Sequence, residues 1–183
     1  EISGKEPNFD LLSSLAGLAV RDSSLTFFDF DCKIKWPNDI LLDGKKNMRY
    51  TGEIVNKNGK PKYAVVGIGL NIEKQEFPEE IMYTAASIGD KYEGELDHNE
   101  IAVDIVNNLD HTSYAATPST PKTPVKNKQA ENVLGVFRSN LRVITPDSEY
   151  DAKVLDIAPD GGLVIMSDGE TKTITSGEIV HIR

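Results

Sequence analysis

Apolar positions first recur at helical spacing. Leu12, Leu15, Ala16 and Ala19 fall on one face, and the pattern predicts a helix over Phe9–Val20 with Asn8 or Asp10 as its cap. Phe27, Phe28 and Phe30 alternate poorly and read as the lead-in to a strand through Trp36. Two short strands follow, Cys32–Trp36 and Ile40–Leu42, joined by a corner at Pro37-Asn38-Asp39. Asp43 to Asn47 reads as a turn or exposed loop, and Arg49–Asn56 as a strand. Lys57-Asn58-Gly59-Lys60 carries the Asn-Gly signal of a hairpin turn. Tyr63–Ile72 is β-branched and continuously apolar, which predicts a central strand buried on both faces. Its glycines, Gly67 and Gly69, are costly inside a strand. Close approach of a ligand or another backbone would explain them, and so would a β-bulge.

The second half differs. Short helical turns are expected at Phe77–Ile81 and Ala85–Ile88, then a helix over Asn99–Leu109 capped by Asp97, with Ile101, Ile105 and Leu109 in register. From Thr112 to Asn127 three prolines sit among Ser, Thr and Lys, the composition of a linker, with a short helical piece around Ala130–Phe137 beyond it. Five short β runs then follow: Leu141–Ile144, Ala152–Ile157, Leu163–Met166, Lys172–Thr175 and Ile179–Ile182. Tight turns at Pro159–Gly162 and Ser167–Glu170 divide them, which suggests a small bent barrel of the SH3 type. The expected architecture is α+β, with a mixed β-sheet core flanked by helices and a small C-terminal SH3-like barrel. The expected boundaries are 1–111 for the core, 112–132 for the linker and 133–183 for the barrel.

Composition narrows the function classes. A net charge of −9 argues against a general nucleic-acid or membrane-surface binder. One cysteine excludes an internal disulfide framework, and three scattered histidines give no zinc spacing. No apolar run is long enough to span a bilayer, and nothing resembles a signal peptide, so cytoplasm is the expected compartment. The chain does not begin with Met, which points to a fragment or a processed product.

The chemistry concentrates at Lys33-Ile34-Lys35-Trp36-Pro37-Asn38-Asp39. Two cations, an aromatic plane, an amide and a carboxylate leave one sheet edge together. They suit a phosphate ester held beside a second group to be activated. They also suit a plain turn with a stacking Trp and solvated charges, and the residues alone leave both open.

The set Lys35-Trp36-Pro37-Asn38-Asp39, then Asp43-Gly44-Lys45-Lys46, then Val65-Val66-Gly67-Ile68-Gly69-Leu70-Asn71, then the closing Ser176-Gly177-Glu178-Ile179-Val180, resembles the biotin protein ligase family from about Leu11 onward. Its cores are similar in fold to lipoate ligases and class II tRNA synthetases. The resemblance implies formation of biotinyl-5′-AMP from biotin and Mg-ATP, then transfer of biotin to a lysine of a biotin carboxyl carrier domain. ATP, Mg2+ and biotin are the small molecules implied, and a homodimer is possible. It implies that Asp39 orients the acceptor lysine or takes its proton, and that Lys46 bridges the biotin carboxylate and the α-phosphate. Lys35, Trp36, Asn38 and Asn71 would bind the nucleotide; Gly52, Ile54, Gly67 and Gly69 would wall the biotin. No metal ligand is indicated.

Three departures from the family stand in the sequence. The Arg- and Gly-rich loop of pattern GRGR, which in the family closes over biotin and the adenylate, is absent, so the expected chain is a core without its N-terminal part. The Lys pair is followed by Asn47-Met48-Arg49-Tyr50-Thr51 before Gly52, leaving either Lys46 or Arg49 to face the ligand, with Lys46 preferred. Ala86 replaces the usual Thr, while Ser87 is kept. The first two departures motivate an alternative, a catalytically impaired binding or interaction module on the same fold. A lipoate or octanoate ligase is a further possibility, against which the Trp-Pro-Asn-Asp stretch weighs.

Overall fold

A computed structural model of the chain describes residues 12–115, 140–158 and 161–181. The expected linker beyond Ala115, the helical piece at 130–137, the helix start before Leu12 and the first half of the turn at 159–162 lie outside them.

Helix α1 runs Leu12–Phe28. Leu15, Ala16, Leu18, Ala19 and Val20 are all buried, because this helix is covered by the sheet below it and by a second helix, α2 (His98–Ala115). The helix continues through Phe27 and Phe28, which were expected to lead into a strand. Their rings remain in the helical packing, and Phe28 meets Tyr92 edge-on with centroids 5.0 Å apart. Asp97 caps α2 as expected, its Oδ1 accepting the backbone N–H of Asn99 at 2.8 Å and of Glu100 at 3.2 Å. Ile101 and Ile105 are buried. The helix passes position 112 and reaches Ala115, so the change in composition at Thr112 does not end it.

The first sheet has four antiparallel strands in sequence order: β1 (Lys33–Lys35), β2 (Asp39–Leu42), β3 (Lys45–Lys57) and β4 (Lys60–Leu70). The hairpin between β3 and β4 turns at Asn58 and Gly59, with φ of 54° and 72°, the left-handed pair that Asn-Gly supplies at little cost. Two expectations are corrected. Lys45, Lys46 and Asn47 belong to β3 and not to a loop; only Asp43 and Gly44 turn, at φ 49° and 77°. And β4 is not a central strand: among the described residues it pairs with β3 alone, and Tyr63 and Val65 are about half exposed. The continuous apolar run hides an alternation in which Val66, Ile68 and Leu70 pack on the core.

The second sheet contains all five expected C-terminal strands: β5 (Asn140–Ile144), β6 (Glu149–Ile157), β7 (Leu163–Ser167), β8 (Glu170–Ile174) and β9 (Glu178–His181). They pair antiparallel in the order β8-β7-β6-β5-β9. Leu141, Val143, Val154, Leu163, Ile165 and Ile179 fill its interior. The Asp168-Gly169 turn has φ of 51° and 80°. The protein is thus α+β, a helix-backed sheet followed by an SH3-like β domain. The two parts touch at Trp36, which is buried and donates its Nε1–H to the Gly161 carbonyl at 3.2 Å.

Candidate active site

A cavity of about 950 Å³ opens where the two parts meet. Its floor is the exposed pleat of the first sheet: Lys35, Asp39, Leu41, Lys46, Arg49 and Gly69. The Trp36–Asn38 corner forms one side, and Asn71, Phe77 and Thr84 another. Gly177–Val180 of the C-terminal domain complete it. The two sheet margins at 35–39 and 69–71 therefore face one hollow.

The corner is held from below. Tyr50, buried to 1% exposure, donates its backbone N–H to the Asn38 carbonyl at 3.0 Å and its hydroxyl to the Pro37 carbonyl at 3.1 Å. Asp39 is thereby presented at the start of β2 with little freedom. Its carboxylate is nearly covered and takes two cations at once, Arg49 Nε on Oδ1 and Lys46 Nζ on Oδ2, both at 3.0 Å. Arg49 is pushed further toward its charged form by the hydrogen bond and charge of Asp39. The cations are 59% and 36% exposed, so such pairs contribute little stability. What they fix is position.

Residues three apart on a regular strand face opposite ways, so Lys46 and Arg49 should not meet one carboxylate. A β-bulge resolves this. Asp39 pairs with Arg49 and Ile40 with Met48, but Leu41 pairs with Lys46, leaving Asn47 as the extra residue. The bulge turns Lys46 back onto the pleat of Asp39 and drives the Asn47 side chain inward. The start of β3 is also gripped on its other edge. Lys46 N–H donates to the Thr84 carbonyl at 2.7 Å, and Ala86 N–H to the Lys46 carbonyl at 2.9 Å, a short parallel bridge.

Of the residues named from the sequence, Lys35, Trp36, Asn38, Asp39, Lys46, Gly69 and Asn71 line the cavity together. Gly67 lies two residues along the pleat of Gly69, opposite Thr51, and a Cβ there would stand 2.9 Å from Thr51 Oγ1. The cross-strand Thr51 side chain is thus one physical reason for that glycine. Gly52, Ile54 and Gly67 pair with Val66, Ala64 and Thr51 and fall outside the cavity lining. Lys46 and Arg49 both line the cavity, and both pair with Asp39. Sequence reasoning missed Asn47 and Glu178. Asn47 was concealed in a stretch that scores as a turn, and a lone Glu in a terminal β domain carries no local signal. Among the described residues no group of three or more His, Cys, Asp or Glu could hold a metal, and none of the described helices is long and apolar enough to cross a membrane.

The helix-backed antiparallel sheet with a small SH3-like β domain over its charged edge is an architecture shared with known proteins. Residues 140–182 match the family model for the biotin protein ligase C terminal domain. The chain is 28% identical over 170 residues to the bifunctional ligase/repressor BirA of Bacillus subtilis, covering 92% of this chain and 52% of that protein. It is also 28% identical over 176 residues to the biotin–[acetyl-CoA-carboxylase] ligase of Mycobacterium tuberculosis, covering 94% and 62%. In structure it is similar to the apo biotin protein ligase of Aquifex aeolicus, with TM-score 0.79 at 24% identity, over 96% of this chain and 76% of that one. The complex of that enzyme with biotin and ATP superposes with TM-score 0.73 at 21% identity, over 98% and 72%. Residues 140–182 thus match the C-terminal domain of biotin protein ligases, the chain is similar in fold to such ligases, and it spans about half the length of the Bacillus relative it matches.

Proposed function

We propose that this protein takes part in ATP-dependent activation of biotin to biotinyl-5′-AMP and in transfer of the biotinyl group to a lysine of a biotin carboxyl carrier domain. The observation that carries this reading is the single cavity in which Asp39, Lys46 and Arg49 stand together beside Lys35 and Asn71.

In the first step a biotin carboxylate oxygen attacks the α-phosphorus of ATP, and pyrophosphate leaves. Two anions must approach, so the step needs cations at the point of contact and few moving parts. Lys46 and Arg49, held on the cavity floor by Asp39, would supply that charge. Lys35 at the strand end and Asn38 at the corner face the same space and would take the nucleotide. Magnesium would arrive with the triphosphate, which supplies most of its ligands; the described residues offer no dedicated carboxylate cage, and Asp39 is engaged by two cations. Gly69 leaves the pleat open for the flat biotin ring beside Arg49.

In the second step the acceptor lysine must be a neutral amine to attack the mixed anhydride. Asp39 is the one carboxylate on the floor, and it would orient that amine or take its proton as the amide bond forms and AMP departs. The cavity is open and lined by charged residues, as an adenylating site requires. The relative named as a biotin–[acetyl-CoA-carboxylase] ligase lends the reaction class. Soluble operation in the cytoplasm, and pairing of two copies, belong to the same proposal.

The test uses the full-length gene product, biotin, Mg-ATP and a biotin carboxyl carrier domain. Intact-mass spectrometry should find one biotinyl group on one lysine. A carrier that stays unmodified while a known ligase modifies it would remove the assignment.

A further inference from the structure

Trp36 borders the cavity, yet only 5% of it is exposed. An indole N–H can only donate, and a buried one needs an acceptor. It finds the Gly161 carbonyl at 3.2 Å, in the other half of the molecule. That carbonyl is fixed from within its own domain. Gly161 N–H donates to the Ala158 carbonyl at 2.9 Å, and Ala158 N–H to the Gly162 carbonyl at 2.8 Å. From β6, which ends just before this turn, the domain is one hydrogen-bonded sheet, β6 pairing with β5 and β5 with β9. The start of β9 is tight against the end of β5: Gly177 has φ of 129°, and a Cβ there would stand 3.0 Å from the Ile144 carbonyl oxygen. Gly177–Val180 are the part of the cavity lining that the C-terminal domain supplies. Holding Gly161 therefore holds that wall. A second interaction crosses at the same place. After the hydrogen bond and charge of Asp39, the charge of Glu178 also helps keep Arg49 protonated on the cavity floor.

We infer that Trp36 is a positioning residue whose hydrogen bond to Gly161 latches the C-terminal domain over the cavity and so shelters the acyl adenylate from water between the two steps. The inference rests on the proposed reaction and deepens it by naming what protects the intermediate. Water can attack a mixed anhydride as the acceptor amine does. Its oxygen adds to the acyl carbon, the bond to the phosphate oxygen breaks, and biotin and AMP leave with ATP consumed and no product formed. The floor cations cannot prevent this, because they activate the same carbon for either nucleophile. Exclusion of water falls to the walls. The floor and corner belong to one sheet, whereas the Gly177–Val180 wall belongs to a separate domain, so its closure is the one that a single crossing contact can control. Trp36 also leads directly into the Pro37-Asn38-Asp39 corner, so the latch ties the wall to the segment that presents Asp39.

The experiment loads the full-length protein with biotin and Mg-ATP, removes free nucleotide by rapid desalting, and follows the decay of bound biotinyl-AMP without carrier. Position 36 holds Trp, Phe (Trp36→Phe) or 3-benzothienylalanine, in which sulfur replaces the N–H at nearly the same ring shape. Both replacements should shorten the half-life of the adenylate by about 5-fold, the effect of one buried hydrogen bond, and should raise the AMP released per biotinyl group transferred once carrier is added. The benzothienyl ring keeps the packing and carries the test should Trp36→Phe fail to fold. Asp97→Ala, which loses a helix cap remote from this contact, should leave the half-life unchanged although it lowers stability by a similar amount. An unchanged half-life with benzothienylalanine, or equal shortening in Asp97→Ala, overturns the inference. Absence of adenylate in every protein, the wild type included, would instead sink the ligase reading itself, so the two failures are distinguishable.

Discussion

Tyr50 offers the sharpest test of how the site is supported. Its ring lies under the Trp36–Asp39 corner, and its hydroxyl donates to the Pro37 carbonyl at 3.1 Å with 1% of the residue exposed. Tyr50→Phe removes one oxygen and nothing else. At neutral pH the loss should be about 1 kcal/mol, the net value of a buried neutral hydrogen bond, since the half-buried Pro37 carbonyl can recover part of its partner from water. The stronger signature lies at high pH. Burial first, and then the charge of Asp39, hold the phenol protonated far above its usual range. A raised pKa means that the contribution is whole below pH ~10 and is lost as the pH climbs, because only the unfolded chain gives up its proton there. Between pH 9 and pH 11 this one group should remove about 1.4 kcal/mol from the unfolding free energy. Urea melts followed by far-UV circular dichroism at successive pH values measure it. Tyr50→Phe should be less stable than wild type at pH 7, and its stability should decline less steeply above pH 10. Parallel decline of the two proteins would refute the burial of this hydroxyl and with it the account of the corner.

Four other expectations follow from contacts. Gly17→Ala would bring a methyl to 2.8 Å from the Tyr50 hydroxyl, so overpacking of roughly 1–3 kcal/mol should outweigh the ~1 kcal/mol gained in helix propensity. The penalty should be smaller in a Tyr50→Phe background, and equal penalties in the two backgrounds would contradict the contact. Gly89→Ala would press a Cβ to 2.5 Å from the Lys74 backbone nitrogen, which no rotamer change relieves; a loss of about 2–3 kcal/mol is expected in chemical denaturation. Asp97→Ala should cost about 1 kcal/mol in the same assay through loss of the α2 cap, with Asp97→Ser recovering most of it. Trp36 is the sole tryptophan, buried at the cavity wall, so its emission should be blue-shifted and should respond to ATP; an exposed-type spectrum indifferent to nucleotide would count against the cavity.

Much of this architecture was legible because local and tertiary preferences agree. The Asn58-Gly59 hairpin, the Asp97 cap and the five C-terminal strands each follow from turn chemistry or period that the fold leaves unopposed. The errors fall where tertiary pairing overrides local composition. Tyr63–Ile72 reads as fully buried because its outward positions, Tyr63, Val65, Gly67 and Gly69, are as apolar as its inward ones; hydropathy measures side chains and is blind to what lies beside an edge. Phe27 and Phe28 look like strand formers, yet a helix already nucleated over Leu12–Phe28 carries them onto Tyr92.

The site divides the same way. The Trp-Pro-Asn-Asp corner and Gly69-Leu70-Asn71 could be read because their chemistry sits at strand ends, where one residue type per position suffices. The cradle of Asp39 could not. Lys46 and Arg49 reach one carboxylate only through a one-residue slip in pairing between β2 and β3, and the slip is set by how both edges of β3 are held. Polar residues in Asp43–Asn47 score as a loop for the same reason that they can host a bulge: their side chains bond backbone groups away from the ladder. A bulge is invisible to any rule that assumes period two, and it is what converts two cations of opposite expected facing into a pair. Where a strand must present adjacent charges to one anion, a local failure of alternation is the structural requirement, and the sequence registers it only as ambiguity.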